Sequence, residues 1–179
     1  MNWFLNAERA IMLFFQNIRS EPFDSIMIFI SSLGDRGAIW IIICLALICT
    51  KRFRKAGIIG LLSLAFCFLI NNLIIKNIVQ RPRPFYTIEE LSIIVSIPSE
   101  FSFPSGHSSS SFAAANGIFL ASKNRKFSAL FILATLIAIS RVYVGVHYLS
   151  DILAGAIVGI LSSWIVYRIS LKLKSFSQF

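Results

Sequence analysis

Residues 56–75 read AGIIGLLSLAFCFLINNLII, twenty consecutive positions without a charged side chain. At about 1.5 Å per residue, a helix of that length spans about 30 Å, the depth of a bilayer's hydrocarbon core. Working outward, similar apolar runs predict crossings over Ala38–Thr50, Ser105–Ala121, Phe127–Tyr143 and Asp151–Tyr167. Pro22 opens a further helix through Ile26 to Ser32, short for a crossing, that stops near Gly34. In Trp3–Ile18, Phe4, Ala7, Ile11, Phe14, Phe15 and Ile18 share one helical face, with Asn6, Arg9 and Gln16 opposite, which predicts a helix lying in the membrane interface. The expected fold is all-α: a polytopic membrane bundle of about six transmembrane helices plus an N-terminal interfacial amphipathic helix, a single domain over residues 1–179.

Composition agrees. Apolar residues make up 56% of the chain and charged ones 14%, too apolar a balance for a soluble domain of 179 residues. No series of segments alternates with a period of two, which argues against a membrane barrel. The N-terminus lacks the basic start and small-residue cleavage site of a secretory signal and is expected to be retained. Cys44, Cys49 and Cys67 lie in apolar stretches at spacings that fit neither a zinc site nor a disulfide framework, so they read as packing residues.

The net charge of +9 does not point to nucleic acid. Lys51, Arg52, Arg54 and Lys55 fill one short loop, Lys123, Arg125 and Lys126 another, and Arg168, Lys172 and Lys174 mark the C-terminal tail. Basic clusters between apolar runs mark cytoplasmic loops and attract anionic lipid. With those clusters in the cytoplasm, Lys76, Arg83, His107, Arg141, His147 and Asp151 all fall at the opposite, extracytoplasmic face.

Those six residues suit phosphoryl chemistry on a lipid. Ser105 and Gly106 open a helix whose free N–H groups attract an anion, and Gly106 lets the backbone approach phosphate oxygens. Arg83 and Arg141 supply planar forks for two oxygens each, and Lys76 adds a compact charge. Arg81 reads as an auxiliary interfacial cation that snorkels. His147 and Asp151, four apart, share a face if helical, and a carboxylate on one ring nitrogen leaves the other free to attack. His107 suits protonation of the leaving oxygen and then activation of water. Ser140 fits a helix contact as well as a site role. Asp35, Glu89, Glu90 and Glu100 are scattered without a metal-ligand pattern, so no metal or other cofactor is expected.

The ordered signatures K-x6-R-P (Lys76 to Pro84), P-S-G-H (Pro104 to His107) and S-R-x5-H-x3-D (Ser140 to Asp151) make the chain resemble the type 2 phosphatidic acid phosphatase family of integral membrane lipid phosphatases. Soluble vanadium haloperoxidases share these signatures, but the hydrophobicity of this chain excludes that branch. The resemblance implies His147 as nucleophile with a phosphohistidine intermediate, His107 as acid and base, and Asp151 as the partner of His147. It implies phosphate binding by Lys76, Arg83, Ser105, Gly106 and Arg141. It further implies a multi-pass protein of the bacterial plasma membrane acting on a lipid phosphate. Compact relatives make undecaprenyl diphosphate the expected substrate, with phosphatidylglycerophosphate and phosphatidic acid as competitors. A non-catalytic phosphate-lipid binding or transport protein is the alternative of another class, and it predicts loss of a catalytic histidine or Asp151, none of which is lost. The Tyr86–Phe103 loop is expected to pack over the site or into the membrane interface. Oligomeric state has no signal in the sequence.

Overall fold

The computed structural model describes residues 2–173, and every regular element among them is helical. The order is α1 (Asn2–Asn17), α2 (Glu21–Leu33), α3 (Ala38–Cys49), α4 (Arg54–Phe68), α5 (Lys76–Val79), α6 (Pro84–Thr87), α7 (Gly106–Ser122), α8 (Leu130–Tyr143) and α9 (Leu149–Lys172). A π-helical segment, Leu69–Ile75, joins α4 to α5.

Helix α7 is the centre of the bundle and packs chiefly against α9 and α4, then α8. Its polarity explains that position. Ser108, Ser109 and Ser111 are buried, with Ser108 Oγ donating to the Ile152 carbonyl (2.6 Å) and Ser111 Oγ accepting from Trp40 Nε1 (2.8 Å). Facing it, α9 buries Asp151, Gly155, Gly159, Ser162 and Ser163 while exposing Leu153, Ile157, Leu161, Trp164 and Ile165. Small and polar residues inside, large apolar ones outside, is the arrangement of a helix that meets lipid on one side and protein on the other. The two helices approach closely because of glycine. A Cβ on Gly159 would lie 2.3 Å from the Ser109 carbonyl oxygen, and one on Gly155 2.7 Å from that of Ser105.

By length and apolarity, three helical stretches suffice to cross a bilayer: Lys51–Thr87, Arg125–Tyr143 and Leu149–Lys172. A fourth is added if Glu21–Leu33 and Asp35–Cys49, bent by 49°, form one broken span. The expected six are not established by these criteria. Helix α7, 17 residues long and serine-rich, falls just short of them in length, and it is packed by α9, α4 and α8. The Phe53 and Phe127 rings, 5.1 Å apart, bring the 51–55 and 123–126 basic loops to one end of the bundle. Helix α7 runs from that end to the signature residues at the other.

One local expectation needs correction. The run at 56–75 is not one regular α-helix. Its last seven residues are π-helical, and the wider turn directs Asn72 and Lys76 into a cavity, while buried Asn71 donates to Asn72 Oδ1 (2.8 Å). In α1 the buried face is centred on Glu8 and Met12, flanked by Ile11 and Phe15, while Phe4, Phe14 and Ile18 point outward. The cause is a partner invisible to periodicity: Arg81, which draws Glu8 inward across the site-side ends of α8 and α9.

Candidate active site

The π turn ends at Lys76, which is buried and paired with Glu100. The loop then carries Arg81 and Arg83 back toward the bundle. Arg83, buried at the N-terminus of α6 where Pro84 sets the first helical turn, has its guanidinium held on three sides. Nε donates to the Glu100 carbonyl (2.7 Å), Nη1 donates to the Val146 carbonyl (2.9 Å), and Nη1 also lies 3.3 Å from His147 Nε2. Ser105 caps α7 and its hydroxyl accepts from the Ser108 N–H, so Gly106 and His107 form the first turn with N–H groups open to an anion. Arg141, in the last turn of α8, donates to Ser31 Oγ from α2, and its buried Nε has no partner among the described residues.

His147 is not on α9, which starts at Leu149, so a shared helical face is not what joins it to Asp151. Asp151 is the third residue of that helix, and its carboxylate folds back to accept the Tyr148 N–H (3.0 Å). That return places Oδ2 3.5 Å from His147 Nδ1. Ser102 sits beside both, its hydroxyl donating to Asp151 Oδ2 (2.5 Å) and lying 3.4 Å from His147 Nδ1. An arginine can only donate, so its approach to Nε2 puts the imidazole proton on Nδ1 and leaves the Nε2 lone pair facing the cations. Burial, reinforced by Arg83 and Arg141 and opposed by Asp151, lowers the His147 pKa to about 3, so the ring is neutral.

Arg81 is no snorkelling cation. Nη1 donates to Asp151 Oδ1 (2.7 Å) and Ser150 Oγ (2.7 Å), Nη2 to Glu8 Oε2 (2.5 Å), and the guanidinium lies 3.8 Å from the centre of the Tyr148 ring. Helix α1 is thereby tied to the Asp151 carboxylate. On the other side of the site, His107 Nε2 lies 2.9 Å from Asp35 Oδ1. The Lys76 ammonium, joined by Arg83, holds the Glu100 carboxyl below its usual range. Among the described residues, no three His, Cys, Asp or Glu side chains gather as a metal-ligand set.

The structure therefore brings together Lys76, Arg83, Gly106, His107, Arg141 and His147 around one cavity of about 1510 Å³, with Ser105 and Asp151 directly behind. The same cavity is also lined by Ile28, Ile41, Leu61, Leu64 and Phe68, an apolar flank suited to a lipid tail. The 94–100 stretch of the loop also lines it, as expected of a segment over the site. Ser140 stays apart, bonding within α8 to the Ile137 carbonyl. Glu8, Ser31 and Ser102 were not singled out from the sequence. Each is a common polar residue whose only signal is its distant partner.

The PAP2 superfamily model matches residues 56–175. The undecaprenyl-diphosphatase of Sulfolobus acidocaldarius is 32% identical over 152 residues, covering 85% of this chain and 71% of that protein. The undecaprenyl-diphosphatase of Bacillus subtilis is 30% identical over 158 residues, covering 86% and 78%. The crystal structure of a transmembrane PAP2-type phosphatidylglycerolphosphate phosphatase from Bacillus subtilis superposes with a TM-score of 0.79 at 30% identity, covering 98% of this chain and 90% of that one.

Proposed function

The chain belongs to the PAP2 superfamily and is a membrane lipid phosphatase, and from that premise we propose that it hydrolyses undecaprenyl diphosphate to undecaprenyl phosphate and phosphate through a phosphohistidine. The observation that carries the reading is His147 Nε2, turned toward Arg83 at the cationic end of a cavity with an apolar flank. The names of two relatives support the choice of lipid. The apolar side chains of Ile28, Ile41, Leu61, Leu64 and Phe68 in the cavity wall support a hydrocarbon tail.

Lys76, Arg83, Arg141 and the first N–H groups of α7 grip the terminal phosphoryl group and complement charge on its equatorial oxygens during transfer. His147 Nε2 attacks phosphorus while the bond to the bridging oxygen breaks, and His107 delivers a proton to that oxygen. The new N–P bond leaves the His147 ring cationic, and Asp151 stabilises it through Nδ1–H, steadied by Ser102 and Arg81. In the second half, His107 takes a proton from water, the hydroxide attacks phosphorus, the N–P bond breaks, and His147 returns to neutral. The three cations perform the charge neutralisation a metal ion would supply, so turnover is metal-independent. The basic loops at the far end are cytoplasmic in this reading, which puts the site on the extracytoplasmic face of a bacterial plasma membrane.

Phosphate release from undecaprenyl diphosphate, phosphatidylglycerophosphate and phosphatidic acid by the purified protein in excess chelator tests the proposal. The highest kcat/KM is expected for undecaprenyl diphosphate. A clear preference for phosphatidylglycerophosphate transfers the assignment to that lipid, on which the solved Bacillus subtilis relative acts. Activity abolished by chelator and restored by magnesium refutes the metal-free mechanism.

A further inference from the structure

The two histidines of the site are held alike, each with a carboxylate on one ring nitrogen. For His147 that carboxylate is Asp151. For His107 it is Asp35, in the turn between α2 and α3, with Oδ1 2.9 Å from Nε2. The contact rests on an unusual piece of backbone. Gly34 lies so close to His107 that a Cβ there would be 2.7 Å from the ring Cδ2 and 2.7 Å from Ile137 Cγ2. After Asp35 the chain reverses through two left-handed residues, Arg36 (φ 52°) and Gly37 (φ 72°), before α3 begins. Arg36 is a non-glycine residue strained in that region, and the turn it makes sets Asp35 at the cavity wall.

We propose that Asp35 is a positioning residue for proton transfer, fixing the orientation and tautomer of His107 so that Nδ1 faces the leaving oxygen. The inference rests on the reading of His107 as the general acid and base. A proton on Nε2 is committed to Asp35, while Nδ1 has no protein partner among the described residues and is left for the substrate. The imidazolium gives its Nδ1 proton to the departing oxygen, and the neutral ring then accepts one from water at the same atom, with Nε2–H bonded to Asp35 throughout. The other charged groups facing His107 are Arg141 from α8, Lys76 from α5 and Glu100 from the loop. Burial disfavours the imidazolium, reinforced by the two cations, and Asp35 opposes them from its own side of the ring.

The test uses full-length protein with Asp35→Asn, Asp35→Ala and Asp35→Glu. Turnover of a lipid phosphate, whose leaving group needs a proton, is compared with phosphoenzyme formation from an activated aryl phosphate, whose leaving group does not. Asp35→Asn is expected to slow lipid turnover roughly tenfold with KM little changed, a fraction of the 10²–10⁴ that a whole acid–base step supplies. Aryl phosphate should still load the enzyme at near the wild-type rate, and the basic limb of the kcat–pH profile should move to lower pH. Asp35→Glu should restore part of both. Equal losses for both leaving groups, or an unmoved pH profile, overturn the proposal. His107→Ala run in parallel separates the causes. If it too is indifferent to the leaving group, the acid–base reading of His107 fails, and the proposal with it. If it is sensitive while Asp35→Asn is not, only the role of Asp35 falls.

Discussion

Replacing Gly155 by alanine adds one methyl group at the closest approach of α9 to the phosphate-binding turn. The new Cβ would sit 2.7 Å from the Ser105 carbonyl oxygen, 3.0 Å from Ser108 Cβ and 3.2 Å from the Ser109 nitrogen, and two of these three neighbours are backbone atoms that cannot swing aside. Ordinary contact begins at 3.4 Å, so the start of α7 must move by about 0.7 Å. That motion stretches the hydrogen bond from the Ser105 N–H to the Asp151 carbonyl, now 3.0 Å, past its useful range. Overpacking of this kind costs about 1–3 kcal/mol, offset by about 1 kcal/mol from the better helix propensity of alanine. Net destabilisation should therefore be small, about 2 kcal/mol at most by those two figures. Catalysis should suffer more, because Gly106 and His107 move relative to His147 and misplacement by about 1 Å costs on the order of 10² in rate. The expected result is a thermal midpoint a few degrees lower and a kcat/KM reduced about 10- to 100-fold. Single-turnover phosphate transfer and thermal unfolding in the same detergent measure both, with Leu153→Ala on the exposed face as control. Activity within twofold of wild type would refute the argument that glycine spacing sets the register between the two halves of the site.

Arg81→Ala leaves the buried Glu8 and Asp151 carboxylates without their shared cation and should destabilise the protein by about 3–5 kcal/mol. Adding Glu8→Gln should recover part of that loss in a double-mutant cycle, and strictly additive effects would show that the bridge is not a unit. Because burial lowers the His147 pKa to about 3, the group stays neutral in the folded protein while the unfolded chain takes up a proton below about pH 6.5. Its contribution to stability is thus complete above that pH and falls as the solution is acidified. Phosphoenzyme formation should show no acid limb of its own at pH 6.5 and persist to pH 5, whereas a midpoint near 6.5 belonging to the enzyme would contradict the neutral, buried nucleophile. With Cys44, Cys49 and Cys67 replaced, a cysteine at Ser92 should react with an impermeant thiol reagent in intact cells, and labelling at Ser122 with Ser92 silent would invert the topology.

Much of this protein follows from local pattern. Twenty uncharged, mostly apolar residues imply a crossing because an unpaired charge in hydrocarbon is costly, and loops rich in lysine and arginine imply one end of the bundle. The groups that meet the cavity, Lys76, Arg83, Gly106, His107, Arg141 and His147, occupy short signatures whose spacing is dictated by a turn, a helix start or a helix end. Such information is contained within a dozen residues. What holds those groups is different in kind. Glu8 reaches Arg81 across 73 positions, Ser31 reaches Arg141 across 110, and Asp35 reaches His107 across 72. A buried charge needs a partner, but any carboxylate in the chain can supply it, so nothing in the local pattern singled out Glu8, and Arg81 read as an auxiliary interfacial cation. The link between His147 and Asp151 shows the same limit at short range. Their spacing suggested a helical face, whereas the helix begins two residues after His147 and the carboxylate returns to cap it. Residue types and local spacing determine which groups arrive at the site. Only tertiary packing decides their charge partners and orientation, because burial makes each unpaired charge expensive and geometry alone selects the nearest group that neutralises it.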